Sequence, residues 1–172
     1  MNAKWLAAIG GGFILIGGSA VAVSGRLLSS SSASRLGIEN KPDNQKVIDR
    51  LIWLDLRVTE VLSLLLKNFP AAHLTSAYRN SEVNAAVGGS PTSLHKEGLA
   101  FDVGGIADPF LGAKFLRDNL NELKVKPRTV IAETSPIHVH LDYFDPLGII
   151  KTDTLTSKFL GEYTTNKFTV LV

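Results

Sequence analysis

Two short segments of this sequence contain three of its four histidines, residues 93–102 and residues 133–142. In the second segment the histidines alternate with apolar residues, as the side chains of a strand do. Because successive side chains of a strand point to opposite faces, His138, His140 and Asp142 share one face. Their imidazole nitrogens and carboxylate oxygens could bind a metal there, although on an exterior face the same residues would simply be solvated polar groups.

The first segment can supply further ligands to such a site. His95 and Asp102 are separated by a loop that contains Gly98, so their side chains can converge with the second segment once the chain reverses. Two imidazoles and one carboxylate, with a fourth position left to water, are typical of a catalytic zinc site rather than a closed structural one. The chain has no cysteine, so histidines and carboxylates must hold any metal.

Residues 93–102 also resemble the motif of a known family. The segment SLHKEGLAFD fits every fixed position of S-x-H-x-x-G-x-A-x-D, the pattern of the zinc D-alanyl-D-alanine carboxypeptidase and L-alanyl-D-glutamate endopeptidase family. Residues 75–84 and 88–91 are similar to the stretch that precedes this motif, and the resemblance covers residues 44–144. These enzymes act on bacterial cell-wall peptides. The resemblance therefore implies amide hydrolysis in a peptidoglycan stem peptide, with a zinc cofactor bound by His95, Asp102 and His140.

The general base is less clear than the zinc ligands. Many family members place a catalytic carboxylate three residues before the second zinc histidine, where this chain has Ile137. The related hedgehog signalling domain has a Glu shortly before an H-x-H, and Glu133 with His138 and His140 resembles that arrangement. Glu133 is therefore the favoured base. His138, Asp142 or no base at all are the alternatives, and Asp142 could instead orient a zinc-bound histidine.

Two more side chains are candidates for contact with the substrate. Arg79 follows a predicted strand, and a planar guanidinium can bind a peptide carboxylate with two parallel hydrogen bonds or polarise a carbonyl. Ser93 could provide a hydrogen bond that supports the site. A surface arginine and an ordinary loop serine are the plainer interpretations of these residues. His73 lies outside both motifs, and we expect it to be structural.

The elements that must position these residues follow from the periodicity of apolar side chains. Residues 44–68 form an amphipathic pattern that Pro70 ends, which predicts a long helix packed on the core. The further predicted elements are a strand at 73–78, a short helix after Asn80, a helix at 108–123 and strands at 129–132 and 137–144. This order predicts an α+β domain, a small antiparallel sheet with flanking helices. The resemblance implies the fold shared by hedgehog and the DD-peptidases.

The N-terminal residues have the composition of a membrane segment. No charged residue lies between Trp5 and Gly25, and this run is long enough to cross a hydrocarbon core of about 30 Å as a helix. We therefore predict one transmembrane helix that binds membrane lipid. A cleaved secretory signal is the alternative, because residues 20–22 resemble an A-x-A cleavage site.

These predictions divide the chain into four segments: an anchor or signal at 1–26, a Ser-rich flexible tether at 27–43, a zinc peptidase-like domain at 44–146 and an extension of uncertain structure at 147–172. The expected protein is a single-pass membrane protein. Its peptidase domain would face the cell wall, in a bacterial envelope or in a virion that carries a membrane and uses the enzyme as a lysin. Cleavage of the first segment would make it a secreted protein.

The composition excludes several other classes of protein. The chain has 172 residues, of which 45% are hydrophobic and 20% charged, and this balance is that of a globular domain rather than a disordered chain. Its 18 Lys and Arg are interspersed with 16 Asp and Glu, so no nucleic-acid partner is predicted. No G-x-S-x-G motif supports a serine hydrolase. A noncatalytic zinc-binding module and a structural membrane protein with a degenerate site remain as alternatives, and the sequence predicts no oligomeric state.

Overall fold

The computed structural model describes residues 7–9, 12–14, 20–23, 26–148, 162–164 and 167–171, with side chains over 31–148. Four short strands come first: β1 (Ala7–Ile9), β2 (Gly12–Ile14), β3 (Ala20–Val23) and β4 (Arg26–Ser29). They form an antiparallel sheet in the order β1-β2-β3-β4.

The helix predicted over residues 5–25 is not found where the structure describes this segment. Its described parts are strands, and the remainder of residues 1–26 lies outside the described residues. Among the described residues no helix has the length and apolar character that crossing a membrane requires. The sequence has glycines at positions 10, 11, 17 and 18, between the short strands, and glycine and valine both lower helix propensity.

The long helix predicted after residue 44 is confirmed. Helix α1 (Ser30–Arg35) and a 3-10 turn (Ile38–Asn40) precede it, and α2 runs over Gln45–Leu65. The side chain of Asn44 caps α2 by accepting a hydrogen bond from the Val47 amide at 3.2 Å. The predicted apolar stripe is buried in the core: Val47, Leu51, Leu54, Val58, Val61 and Leu65. Burial of this stripe stabilises the helix against the sheet.

A six-stranded antiparallel sheet carries the rest of the fold. Its strands are β5 (His73–Ser76), β6 (Ala100–Gly104), β7 (Thr129–Thr134), β8 (Ile137–Asp142), β9 (Glu162–Thr164) and β10 (Lys167–Leu171). Their order in the sheet is β5-β6-β8-β7-β10-β9. Helix α3 (Ser81–Ala86) follows β5, and α4 (Pro109–Asp118) follows β6. The predicted α+β class with an antiparallel sheet is therefore confirmed.

The two faces of this sheet have different roles. Val130 and Ala132 of β7 and Val139 and Leu141 of β8 are fully buried in the core, and helix α4 contacts both strands. The alternate residues point the other way and line a cleft of about 950 Å³, among them Ile131, Glu133, His138, His140 and Asp142. The period of two along a strand thus separates the core from the candidate site.

Part of the segment predicted as a flexible tether is folded onto the domain. Within residues 27–43 the structure has α1 and the 3-10 turn, and Leu36 between them is fully buried in the core. An apolar side chain that finds a place in the core gains more from burial than it loses in chain entropy. The domain was predicted to start at residue 44, but these core contacts show that it extends at least to Leu36.

Candidate metal centre and substrate cleft

His95 lies on a short 3-10 turn over Leu94–Glu97 that two neighbours shape. The hydroxyl of Ser93 accepts a hydrogen bond from the His95 amide at 3.4 Å and so caps the turn. Gly98 ends it with a φ of +69°, and a Cβ there would lie 3.1 Å from the carbonyl oxygen of Val47. The fixed serine and glycine of the motif therefore shape the backbone that presents His95.

Asp102 and His140 come together through strand pairing. They are directly opposite each other in the antiparallel β6–β8 ladder. Nδ1 of His140 lies 2.8 Å from Oδ1 of Asp102. Nε2 of His95 lies 3.2 Å from that oxygen and 3.2 Å from the same His140 nitrogen. Three potential ligand atoms, two from one motif and one from a distant strand, thus surround one point.

The spacing of these three atoms can be compared with a tetrahedral zinc site. Ligand atoms about 2.0–2.1 Å from zinc at tetrahedral angles lie about 3.3 Å from one another. The three observed separations, 2.8, 3.2 and 3.2 Å, are close to this value. Two nitrogens and one carboxylate oxygen are also the atoms that a catalytic zinc ion prefers. The residues present therefore fit a zinc ion with room for a fourth ligand.

The other ring nitrogen of His95 determines which tautomer faces this point. Nδ1 lies 2.5 Å from the carbonyl oxygen of Ala77, an atom that can only accept, so Nδ1 carries the hydrogen. Nε2 is then left with a lone pair directed at Asp102 and His140. The side chain of His95 is 1% exposed, and this burial lowers its pKa. His95 is therefore neutral, as a metal ligand must be.

His140 has a carboxylate where His95 has a carbonyl. Its Nε2 lies 3.6 Å from Oδ2 of Asp142. Asp142 in turn accepts bonds from the guanidinium of Arg128 at 2.7 and 3.1 Å and from the hydroxyl of Thr129 at 2.5 Å. Burial acts to raise the pKa of Asp142, but the nearby ring of His140 and the hydrogen bonds from Arg128 and Thr129 lower that pKa by a larger amount, so the carboxylate is ionised. A carboxylate in this position orients a metal-binding imidazole.

The two carboxylates that flank His140 raise its basicity. Burial acts to lower the pKa of His140, but the neighbouring carboxylates of Asp102 and Asp142 outweigh it and raise that pKa to about 9. Burial likewise acts to raise the pKa of Asp102, while the hydrogen bond from His140 holds that pKa well below the usual range. The centre therefore concentrates negative charge beside two imidazoles, which favours a bound cation.

Glu133 and His138 lie on the same face of the sheet, next to the three ligand atoms. They are directly opposite each other in the β7–β8 hairpin. Nε2 of His138 lies 3.6 Å from Oε2 of Glu133 and 3.6 Å from Oδ1 of Asp102. Its Nδ1 donates to the carbonyl oxygen of Pro136 at 2.9 Å. His138 is thus between the Glu133 carboxylate and the metal centre. The side chains of Glu133, His138 and Asp102 all line the cleft.

Arg79 borders the same centre from the other side. A terminal nitrogen of its guanidinium lies 3.5 Å from Oδ2 of Asp102, the oxygen that does not face the histidines. Its Nε is buried and has no hydrogen-bond partner in the part of the chain that the structure describes. The side chain is 18% exposed and lines the cleft. A cationic donor is therefore available beside the candidate metal position.

Most of the predicted site residues lie in one cleft, but they contribute to the site in different ways. Six residues were predicted to bind the metal, act in catalysis or bind the substrate through a charged group. All six line one cleft: His95, Asp102, His140, Glu133, His138 and Arg79. Ser93 also lines it, but its described contact is the cap on the backbone of His95. His73 bonds to the carbonyl of Ala71 at 2.9 Å and is not part of the cleft, as expected of a structural residue.

Three residues that support the histidines were missed by the sequence interpretation. Ala77 contributes only a backbone carbonyl, which no side-chain pattern could reveal. Arg128 and Thr129 contact Asp142 across the β7–β8 pair. Thr129 is directly opposite Asp142, and this pairing could have been found by assuming a two-residue hairpin loop and counting back along β7, because the register then follows. Arg128 is the residue before it.

The sequence was also compared with known proteins. A family model described as Peptidase M15 matches residues 26–142, which include every residue of the candidate centre. No curated protein matches the chain, and no solved structure does. The family match begins before residue 44, so it takes in the N-terminal segment that packs on the domain.

Proposed function

The chain belongs to the peptidase M15 family, and from this premise we propose that it is a zinc-dependent peptidase acting on the stem peptide of bacterial peptidoglycan. The reaction would be hydrolysis of one amide bond, by a D,D-carboxypeptidase or an endopeptidase. The observation that carries the proposal is the meeting of His95 Nε2, Asp102 Oδ1 and His140 Nδ1 within 3.2 Å of one another.

These three residues would hold the metal ion. Bound zinc lowers the pKa of a coordinated water toward about 7 and polarises a carbonyl. Ala77 and Asp142 fix the ring orientations of the two histidines through the nitrogens that do not face the metal position. No covalent intermediate with the protein is required, because the centre supports direct attack by water.

Glu133 would accept the proton of the attacking water and pass it to the leaving amine. It lies on the cleft face directly opposite His138, two residue pairs away from His140 along the hairpin. Ile137 occupies the position where many relatives have their carboxylate, and its side chain is 54% exposed. Ile137 also lines the cleft but has no group that can accept a proton, which supports Glu133 as the base in this chain.

His138 and Arg79 would support the reaction from either side. Nδ1 of His138 donates to Pro136, and its Nε2 faces the carboxylates of Glu133 and Asp102 at 3.6 Å, so the ring would help to position Glu133 beside the metal centre. The guanidinium of Arg79 would bind a substrate carboxylate or the developing oxyanion. Its buried Nε, unpartnered among the described residues, would gain a hydrogen bond when substrate binds.

Attachment to a membrane is the second part of the proposal, and it rests on the sequence alone. The uncharged residues from Trp5 to Gly25 would associate with lipid and keep the peptidase near the cell wall. A bacterial envelope and a membrane-containing virion would both use such an arrangement. Cell fractionation of the full-length protein, with a variant that lacks residues 1–26, tests this attachment independently of activity.

The peptidase proposal is tested by digesting purified muropeptides and measuring product masses. The parent protein should release a cleaved stem peptide, and Glu133→Gln should reduce the rate by about 10²- to 10⁴-fold while zinc content stays the same. Glu122→Gln is the control, since Glu122 is a surface residue paired with Lys67 far from the cleft. An intact substrate with stoichiometric zinc in the parent would contradict the enzyme and favour the noncatalytic zinc-binding module.

A further inference from the structure

The segment that precedes the long helix α2 forms one wall of the candidate substrate cleft. Ser34, Arg35, Gly37, Glu39 and Asn40 all line the cleft together with the metal centre. Leu36 in the middle of this segment is fully buried. The segment is therefore held against the domain at the place where substrate would lie.

Residues 36–40 are joined to the chain on both sides of Arg79. The amide of Tyr78 donates to the carbonyl of Leu36 at 2.9 Å. The side chain of Asn40 donates to the carbonyl of Tyr78 at 3.1 Å, and the side chain of Asn80 donates to the carbonyl of Asn40 at 2.8 Å. Three hydrogen bonds thus hold the residue before Arg79 and the residue after it.

The three hydrogen bonds with residues 36–40 hold residues 78–80, which have no strand partner among the described residues. Strand β5 ends at Ser76, so residues 78–80 are not paired within the sheet. The backbone of Arg79 itself has one described bond, from its amide to the carbonyl of His95 at 3.3 Å. Its position therefore depends on the turn that carries His95 and on the segment 36–40.

Residues 36–40 approach Tyr78 so closely that position 37 has no room for a side chain. Gly37 has a φ of +78°, and a Cβ at this position would lie 2.6 Å from the carbonyl oxygen of Tyr78. Both the left-handed backbone and the lack of space exclude other residues without a shift. The close approach of residue 37 to Tyr78 therefore depends on glycine at this position.

From these contacts we infer that residues 36–40 are a substrate-positioning element: they fix the backbone around Arg79 and so determine where its guanidinium meets the substrate. The inference rests on the proposed function in that Arg79 binds the peptide. Residues 36–40 then have a role in substrate binding, in addition to connecting residues 1–26 to the domain. Arg79 is the group that touches substrate, and Asn40 acts through it.

The test uses Asn40→Ala in the full-length protein, with Asn119→Ala as the matched control. Asn119 is also half-buried and also donates from its side chain to a backbone carbonyl, that of Phe115 at 2.8 Å, but it lies outside the cleft. Asn40→Ala should raise KM for the stem peptide by about 3- to 10-fold, the equivalent of one hydrogen bond, with kcat and zinc content unchanged. Asn119→Ala should leave KM unchanged.

A double-mutant cycle separates positioning of Arg79 from a general structural effect. In an Arg79→Ala background, Asn40→Ala should raise KM no further, because the group that it positions is gone. An unchanged KM in the single variant would overturn the inference, and so would an equal rise in both backgrounds.

Amide hydrogen exchange provides a readout that does not need activity. The amides of Tyr78 and Arg79 donate to the carbonyls of Leu36 and His95. In Asn40→Ala they should exchange about 3- to 10-fold faster than in the parent, and in Asn119→Ala they should not. If the parent neither binds nor cleaves muropeptides, the proposed function fails, and the exchange rates alone still decide whether the segment holds Arg79. Unchanged exchange in Asn40→Ala would overturn the inference.

Discussion

The two imidazoles of the candidate metal centre are held in contrasting surroundings. His95 lies on a 3-10 turn, is buried, and donates to the neutral carbonyl of Ala77. His140 lies on a strand between the carboxylates of Asp102 and Asp142. Burial lowers the pKa of His95, whereas the flanking carboxylates, acting against burial, raise that of His140 to about 9.

This difference shows that the partner of the second ring nitrogen determines the character of each ligand. A carbonyl fixes the tautomer of His95 and adds no charge, so this imidazole is ready to bind a cation. A carboxylate orients His140 and also makes its ring more basic, at the cost of a proton that must leave when metal binds. The four following predictions test this contrast, starting with the largest expected effect.

Removal of either imidazole should abolish tight metal binding, whatever its surroundings. We expect His95→Ala and His140→Ala each to weaken zinc affinity by more than the 10- to 100-fold lost when only a supporting residue changes. Competition with a chromophoric chelator measures this affinity. His73→Ala is the control, because His73 lies outside the cleft. Retention of full affinity by either ligand variant would contradict the proposed centre.

Replacement of the carboxylate behind His140 should weaken metal binding less. Asp142→Asn should lower zinc affinity by about 10- to 100-fold, because the ring loses the group that orients it. Asp145→Asn is a matched control: Asp145 also forms a two-bond pair with an arginine, Arg50, and its side chain is fully buried. The control should lower the melting temperature and leave zinc affinity unchanged. Equal loss of affinity in both variants would show that the effect is general destabilisation.

The opposite pKa shifts predict a stability maximum in the metal-free protein. A lowered pKa for His95 means that the unfolded chain binds more protons, so the free energy of unfolding rises as pH increases to about 6.5. The raised pKa of His140 stabilises the fold below about 6.5, and this contribution of about 1–3 kcal/mol is lost as pH rises through about 9.

Melting temperatures measured with chelator present, from pH 5 to about 10, would show this maximum. The depressed pKa values of Asp102 and Asp142 act at lower pH, because unfolded carboxylates titrate near about 4. His140→Ala should remove the fall on the alkaline side and keep the rise on the acid side. A monotonic curve in the parent would contradict the contrast between the two histidines.

The smallest effect is expected at the cap of the His95 turn. Ser93→Ala removes the hydroxyl that accepts from the His95 amide at 3.4 Å, a long hydrogen bond. The free energy of unfolding should fall by about 0.5–1 kcal/mol, and zinc affinity should change by less than about threefold. A loss as large as that of Asp142→Asn would instead show that Ser93 contributes directly to the centre.

Much of the fold was predictable because its signals are local. The apolar stripe of α2 repeats with the period of a helix, and its central residues are buried, although Leu66 at its end is 45% exposed. The strands β7 and β8 carry alternating patterns around a short turn, and their pairing follows from that turn. The N-terminal residues show the limit of this reasoning, since an apolar run can belong to a helix or to strands, and periodicity alone does not distinguish them.

The candidate site was predictable to the extent that its residues belong to short motifs. His95 and Asp102 lie in one motif, His138 and His140 in another, and the family resemblance related the two. The segment 36–40 was missed because serine-rich composition suggests a tether. Only the burial of Leu36 and the bonds to Tyr78 reveal that it packs on the domain.

The sequence by itself determined which atoms could bind metal and which secondary structures carry them, because side-chain chemistry and local periodicity are properties of neighbouring residues. The tertiary structure alone decided how those atoms are held. The carbonyl of Ala77 behind His95, the carboxylate of Asp142 behind His140 and the segment 36–40 beside Arg79 all depend on contacts between parts of the chain that lie far apart in sequence. Such contacts arise only when the sheet order and the packing of the core bring those parts together.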